Sequence, residues 1–242
     1  MTETPPLLRA QGLSMRFGGV KAVDGVDFAI GERELRCLIG PNGAGKSTFF
    51  RCLTKIYRPT SGRLFFKGRD VTRAQTHEIA RLGVGIKTQV PSVFDGLTVR
   101  ENLWLAAALH HRGRAIDRAA EAAVERLDLT RILDRRLDQL SHGQRQWVEL
   151  AMVVTGDPVL ILLDEPTAGM TRAEVDHTVA LIGELNTQAA LIVVEHDMQF
   201  VRRIARRITV FHQGRILIDD EADTVLTDPR VAEVYLGRGA AA

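Results

Sequence analysis

The chain has 242 residues, 45% of them hydrophobic and 26% charged, the size and balance of one large globular domain with a substantial core. Its 32 Lys and Arg against 30 Asp and Glu leave a formal charge of +2, too weak a field to make nucleic acid the main partner. Cys37 and Cys52 alone exclude the disulfide framework of a small secreted protein and suit a reducing cytoplasm.

Met1 to Arg9 lacks the basic start and apolar run of a signal peptide, and no stretch approaches the roughly 20 apolar residues that cross a bilayer. The expectation is a protein soluble by itself, reaching a membrane only through a partner. Short β-like runs at Leu7–Leu13, Val26–Ile30, Leu35–Ile39 and Leu64–Lys67, with Gly-containing turns, predict an antiparallel layer near the start. Asn102 to Leu109 is rich in helix formers. Ile116, Ala119, Ala120, Ala123, Val124 and Leu127 recur at helical spacing. A helical subdomain is therefore expected over 89–149, inserted between core segments 1–88 and 150–242. Continuous apolar runs at Val159–Leu163 and Leu191–Val194 predict a buried parallel sheet covered by helices, an α/β signature. A last hairpin reads as Ile208–His212, a Gln213-Gly214 turn and Arg215–Asp219. The tail Gly237–Ala242 is expected to fray, and too little chain follows Asp219 for a regulatory domain.

The strongest chemical signal is Gly40-Pro41-Asn42-Gly43-Ala44-Gly45-Lys46-Ser47, between the apolar run Leu35–Ile39 and the helix-like Thr48–Leu53. Strand, Gly-rich loop and helix in that order form a phosphate-binding loop. Its glycines let backbone N–H groups turn inward around phosphate oxygens, the helix N-terminus adds partial positive charge, Lys46 reaches the β and γ phosphates, and Ser47 suits Mg²⁺. Asp164-Glu165-Pro166 closes the run Val159–Leu163, placing two acids at the C-terminal edge of a buried strand, where open α/β sheets bind ligands. Asp164 suits Mg²⁺ coordination and Glu165 suits a general base on water. Leu140-Ser141-His142-Gly143-Gln144 reads as a capping box, Ser141 at the N-cap and Gln144 three residues on, opening a helix with Trp147, Leu150, Ala151 and Val154 on one face. A capped start beside a glycine is also an anion site. Thr171 with Glu174 reads as a second capping box.

Taken in order, the Gly40–Ser47 loop, Gln89, Leu140–Gln144, the Asp164-Glu165 strand end and His196 after a further strand resemble the ATPase subunits of ABC transporters over essentially the whole chain. The Ser-x-Gly-Gln element separates that family from other phosphate-loop ATPases. The resemblance implies a RecA-like ATPase core with an N-terminal antiparallel β subdomain and an inserted α-helical subdomain, working with ATP and Mg²⁺. Asn42, Gly43, Gly45, Lys46, Ser47 and Thr48 would hold the phosphates. Phe17 would stack on adenine, its alternative being an aromatic packed in the first sheet. Ser47, Gln89 and Asp164 would meet the metal, and Glu165, His196 and Gln89 would serve hydrolysis. Ser141, Gly143 and Gln144 would face ATP held by a second ATPase subunit, identical or paralogous.

The expected partners beyond that subunit are two membrane permeases and, indirectly, a periplasmic solute-binding protein, at the inner face of the cell membrane. Three positions depart from the family pattern: His142 stands where Gly is common, Thr171 where Asp is usual, and Thr88 where an aromatic is frequent. Arg145-Gln146-Trp147, Ala168–Thr171, Glu195-His196-Asp197-Met198 and the tail from Asp228 to Gly237 are similar to subunits of urea and branched-chain amino acid importers, the urea branch matching best. A permease helix is one occupant for the apolar Val90–Phe94 and Leu97; packing on their own subdomain is the other. The basic groups His110, His111, Arg112, Arg114 and Arg118 read as a solvated face or as a surface near anionic lipid. Arg202, Arg203, Arg206 and Arg207 read as the solvated face of a helix carrying Val201, Ile204 and Ala205. The competing classes are a non-transport ABC ATPase, disfavoured because the chain has neither paired ATPase units nor an inserted coiled coil, and a small-molecule phosphate-loop enzyme.

Overall fold

The computed structural model describes residues 5–89 and 93–236. In chain order its elements are β1 (Leu8–Phe17), β2 (Val20–Ile30), β3 (Leu35–Ile39), α1 (Lys46–Leu53), β4 (Ser61–Phe66), β5 (Arg69–Asp70), α2 (Thr76–Arg81), β6 (Val84–Lys87), α3 (Val99–Ala108), α4 (Arg114–Arg126), α5 (His142–Val154), β7 (Leu160–Asp164), α6 (Arg172–Asn186), β8 (Ala190–Val194), α7 (Met198–Ile204), β9 (Arg207–His212), β10 (Arg215–Glu221), α8 (Ala222–Thr227) and α9 (Pro229–Leu236).

Two sheets organise these elements. An antiparallel sheet runs β2-β1-β4-β5, and a six-stranded sheet runs β10-β9-β3-β8-β7-β6. Every residue of β3, β7 and β8 is buried, as expected of parallel strands covered on both faces. Side-chain alternation divides these strands between two cores. Leu35, Cys37, Ile39, Ile161, Leu163, Leu191 and Val193 join the core built with α3, α5 and α6. Leu38, Leu160, Leu162, Ile192 and Val194 face α1 and the antiparallel sheet.

That division corrects one expectation. Leu35–Ile39 belongs to the six-stranded sheet, parallel to β8 and β9, and not to the antiparallel layer that its position near the start suggested. Its continuous apolar run, unlike the partial alternation of β1 and β2, is the mark of burial on both faces. Arg36 is the exception in that run. Buried on the same face as Leu38, it pairs with Glu34, reaches Asp219 at 2.6 Å and Thr209 at 3.1 Å, and lies 5.2 Å from the Phe28 ring.

The expected hairpin is present as β9 and β10. Gln213 and Gly214 both take positive φ, 49° and 78°, the pair of left-handed residues that a two-residue turn between twisted strands requires. Arg206 and Arg207 are not on a helix. The helix α7 stops at Ile204, Ala205 is extended, and Arg207 opens β9, where its guanidinium turns to Asp219. The boundary expected at 149/150 falls inside α5, which continues to Val154. No helix among the described residues is long and apolar enough to cross a membrane. Val90, Pro91, Ser92 and the tail Gly237–Ala242 lie outside the described residues.

Candidate nucleotide site

The loop Gly40–Ser47 leaves the C-terminal end of β3 and enters α1. Two close approaches fix its glycines. A Cβ on Gly45, at φ 106°, would stand 2.4 Å from the Ala22 carbonyl oxygen; one on Gly40, at φ 144°, would stand 2.2 Å from that of Phe211. Neither position accepts a side chain. The hairpin turn braces the loop from outside, because Gly214 N donates to Ala44 O at 2.9 Å while Gly214 O accepts from Asp24 N at 2.8 Å.

Lys46 is buried, and its ammonium donates to the carbonyls of Gly40 at 2.6 Å and Pro41 at 3.1 Å. Burial pushes its pKa below the usual lysine range, opposed by the negative charges of Glu165 and Asp164. Those carboxylates therefore share the field of the phosphate loop. Asn42 and Gly43 are exposed at the mouth of the loop, and Ser47 and Thr48 lie in the first turn of α1.

Asp164 ends β7 with 3% exposure, and its Oδ1 is buried without a hydrogen-bond partner. Burial first, and the charge of Glu165 second, raise its pKa to about 6. Such an orphaned oxygen needs a partner that no described side chain supplies. Among the described residues no group of three or more His, Cys, Asp or Glu is placed to hold an ion alone.

Glu165 takes φ 49°, a conformation that costs a non-Gly residue on the order of 1–3 kcal/mol. Its backbone N–H donates to Val194 O at 2.9 Å, and His196 Nδ1 lies 3.4 Å from its carboxylate. The strand end thus turns Glu165 out toward His196 while Asp164 stays buried. Gln89 follows β6, whose Lys87 pairs with Leu163 of β7, so it is exposed beside the same sheet edge. Phe17, at the end of β1, is 45% exposed and meets Tyr57 edge-on with ring centroids 5.4 Å apart.

The start of α5 is a separate neighbourhood. Ser141 caps the helix by accepting from Gln144 N at 3.2 Å, and the Gln144 side chain accepts from Ser141 N at 3.1 Å. Ser141 Oγ donates to Glu174 Oε1 at 2.8 Å, and His142 Nε2 lies 3.0 Å from Ala168 O. Gly143 packs so tightly on Glu174 that a Cβ there would fall 2.3 Å from its carboxyl carbon. The Thr171–Glu174 capping box is also present. His142 and Thr171, both departures from the family pattern, therefore belong to one contact between the α5 and α6 starts.

Two features escaped the reading of the chain. Glu195, 1% exposed, accepts from Thr167 Oγ1 at 2.7 Å and His196 N at 3.0 Å, tying together the loops after β7 and β8. The signal was an acid directly after a wholly apolar run. Lys87 and Glu149 form a buried ion pair at 3.4 Å, joining the strand before Gln89 to α5. Burial pushes Lys87 down and Glu149 up, and each draws the other part-way back. The two charges are far apart in sequence, and no spacing rule connects them.

Residues 23–168 match the profile of the ABC transporter family. The high-affinity branched-chain amino acid transport ATP-binding protein BraF of Pseudomonas aeruginosa is 35% identical, the alignment covering 96% of this chain and 98% of that protein. The corresponding LivG of Escherichia coli strain K12 is also 35% identical, with 96% and 98% covered. Among solved structures, the ADP conformation of MJ1267, an ATP-binding cassette of an ABC transporter, superposes with a TM-score of 0.88 at 27% identity over 97% of this chain and 100% of that one. A nucleotide-free ATP-binding cassette from an ABC transporter gives 0.87 at 26% identity, with 96% and 99% covered.

Proposed function

The chain belongs to the ABC transporter family as an ATP-binding, ATP-hydrolysing member, and from that premise we propose that it powers an importer of urea, short amides or branched-chain amino acids. It does so paired with a second ATPase subunit, identical or paralogous, beneath two membrane permeases served by a periplasmic solute-binding protein. Its place is the cytoplasmic face of the membrane. The observation that carries the catalytic part is the convergence of Lys46, Ser47, Asp164, Glu165 and His196 on one edge of the six-stranded sheet. The amino acid branch rests on the full-length likeness to BraF and LivG; the urea branch rests on the resemblance carried by Leu140–Trp147, Ala168–Thr171, Glu195-His196-Asp197-Met198 and the tail from Asp228 to Gly237.

In this reading Asn42, Gly43, Gly45, Ser47 and Thr48 present backbone N–H groups to the phosphates, and Lys46 exchanges the carbonyls of Gly40 and Pro41 for phosphate oxygens. Phe17, exposed at the end of β1, offers its face to adenine. Ser47 and Asp164 would hold Mg²⁺ with Gln89 nearby, and the orphaned Oδ1 of Asp164 fits a hard cation that takes oxygen ligands. When bound there, such an ion would supply charge neutralisation to the triphosphate. Glu165 accepts the proton of the attacking water, and His196 beside it orients that water. Ser141, Gly143 and Gln144 close over the ATP of the opposite subunit, and hydrolysis reopens the pair. Phe94, 57% exposed, offers an apolar contact for a permease.

The test is uptake of labelled urea, short amides and branched-chain amino acids by cells lacking this gene, complemented with the intact chain or with Lys46→Ala. Loss of one solute, restored by the intact chain only, is the expected result. Unchanged uptake of every solute would remove the urea, amide and branched-chain amino acid branches and favour another solute or a non-transport ABC ATPase.

A further inference from the structure

The C-terminal helix reaches the phosphate loop. The segment is well anchored: Asp228 accepts from Arg230 N at 2.8 Å and pairs with its guanidinium at 2.7 Å, Pro229 occupies the first turn, and Val231 is buried. Asp before Pro is a helix start that fixes where the next turns point. Two turns on, Tyr235 lays its ring against the core beneath the six-stranded sheet, and its hydroxyl accepts from Gly40 N at 2.7 Å. Gly40 is the first residue of the phosphate loop.

We infer that Tyr235 is a positioning residue for nucleotide binding, holding Gly40 so that the N–H groups after it keep their aim. Gly40 is gripped from three directions: Tyr235 Oη on its N–H, Lys46 Nζ on its carbonyl, and the Phe211 carbonyl where a Cβ would stand. The Lys46 contact is the one that binding must break, because the same ammonium is required by phosphate. Once Lys46 turns away, the Tyr235 hydroxyl and the Phe211 wall are what remain to hold the loop's first peptide. A preformed loop binds its ligand without first ordering itself, so the benefit appears in affinity. The chemistry after binding is untouched by Tyr235. This inference rests on the nucleotide-binding reading above.

Tyr235→Phe removes the hydroxyl and keeps the ring, whereas Tyr235→Leu removes both. In the full chain, Tyr235→Phe is expected to raise the Kd and KM for Mg-ATP about threefold to tenfold, the loss of one hydrogen bond, with kcat within about twofold. Without nucleotide, hydrogen exchange in the peptide containing Gly40 is expected to quicken in Tyr235→Phe. A purely packing role would leave Tyr235→Phe like the intact chain in both Kd and exchange while Tyr235→Leu alone lost affinity, and that outcome overturns the inference. Failure of the intact chain to bind Mg-ATP would overturn the nucleotide reading instead, and the exchange measurement, made without nucleotide, keeps the two failures apart.

Discussion

The two halves of the site differ in how their polar groups are satisfied. At the phosphate loop, Asp164 Oδ1 has no hydrogen-bond partner, Lys46 is buried against backbone carbonyls, and Glu165 sits in a left-handed conformation. At the start of α5, Ser141 is engaged by Gln144 and Glu174, and His142 lies against Ala168 O. The first region carries strain and an orphaned charge, the condition of a site awaiting its own ligand. In the second, Ser141 and His142 are already engaged within the chain, and in the proposed pairing a phosphate reaching Ser141 would displace the Glu174 carboxylate. This contrast matches a division of labour in which one half binds ATP by itself and the other acts only when a second subunit brings ATP to it.

The largest expected effect separates chemistry from binding in the first region. Glu165→Gln is expected to slow phosphate release by roughly 10²–10⁴-fold while Mg-ATP still binds, as read by steady-state hydrolysis and calorimetry. A comparable fall in affinity would show that Glu165 holds nucleotide and is not a base. The bridge between the regions, Lys87–Glu149, is next. Removing either charge alone, as in Lys87→Met, strands its buried partner and should cost about 3–5 kcal/mol in denaturant unfolding. Lys87→Met with Glu149→Leu should recover most of that loss.

Ser141→Ala removes the α5 cap, which should cost about 1 kcal/mol. It should also abolish ATP-dependent pairing while leaving the affinity of a single chain for ATP unchanged; a drop in that affinity would erase the contrast between the regions. The smallest effect concerns Glu174. The Thr171 backbone N–H, then the Ser141 and Thr171 hydroxyls, hold its carboxyl below the usual range. A depressed pKa stabilises the fold above the ordinary carboxylate value, and that stabilisation is lost as pH falls through the folded value. The intact chain should therefore exceed Glu174→Gln by roughly 0.3–1 kcal/mol near neutrality, the gap closing in acid. A gap independent of pH would show that ionisation of Glu174 is not what secures Ser141.

Local signals carried much of this architecture. The phosphate loop, both capping boxes and the Gln213-Gly214 turn are short-range patterns whose residue types impose one backbone geometry, so the chain shows them directly. The apolar runs of β7 and β8 declared a buried parallel sheet for the same reason. The sheet to which Leu35–Ile39 belongs was not legible from its neighbours, because partners at 191–194 and 207–210 decide it. The helix containing Arg202 was extended too far, since its end depends on Arg207 joining β9. Long-range polar contacts were the hardest: Arg36 with Asp219, Glu195 with Thr167, Lys87 with Glu149, and Tyr235 with Gly40. Each joins residues whose meeting depends on the finished fold.

The division of the site between two chains is tested most directly by the mass in solution of Glu165→Gln, measured by sedimentation with and without Mg-ATP. The expected result is one chain without nucleotide and a two-chain species with Mg-ATP, abolished by adding Ser141→Ala. A single chain under both conditions, with ATP bound, would contradict it.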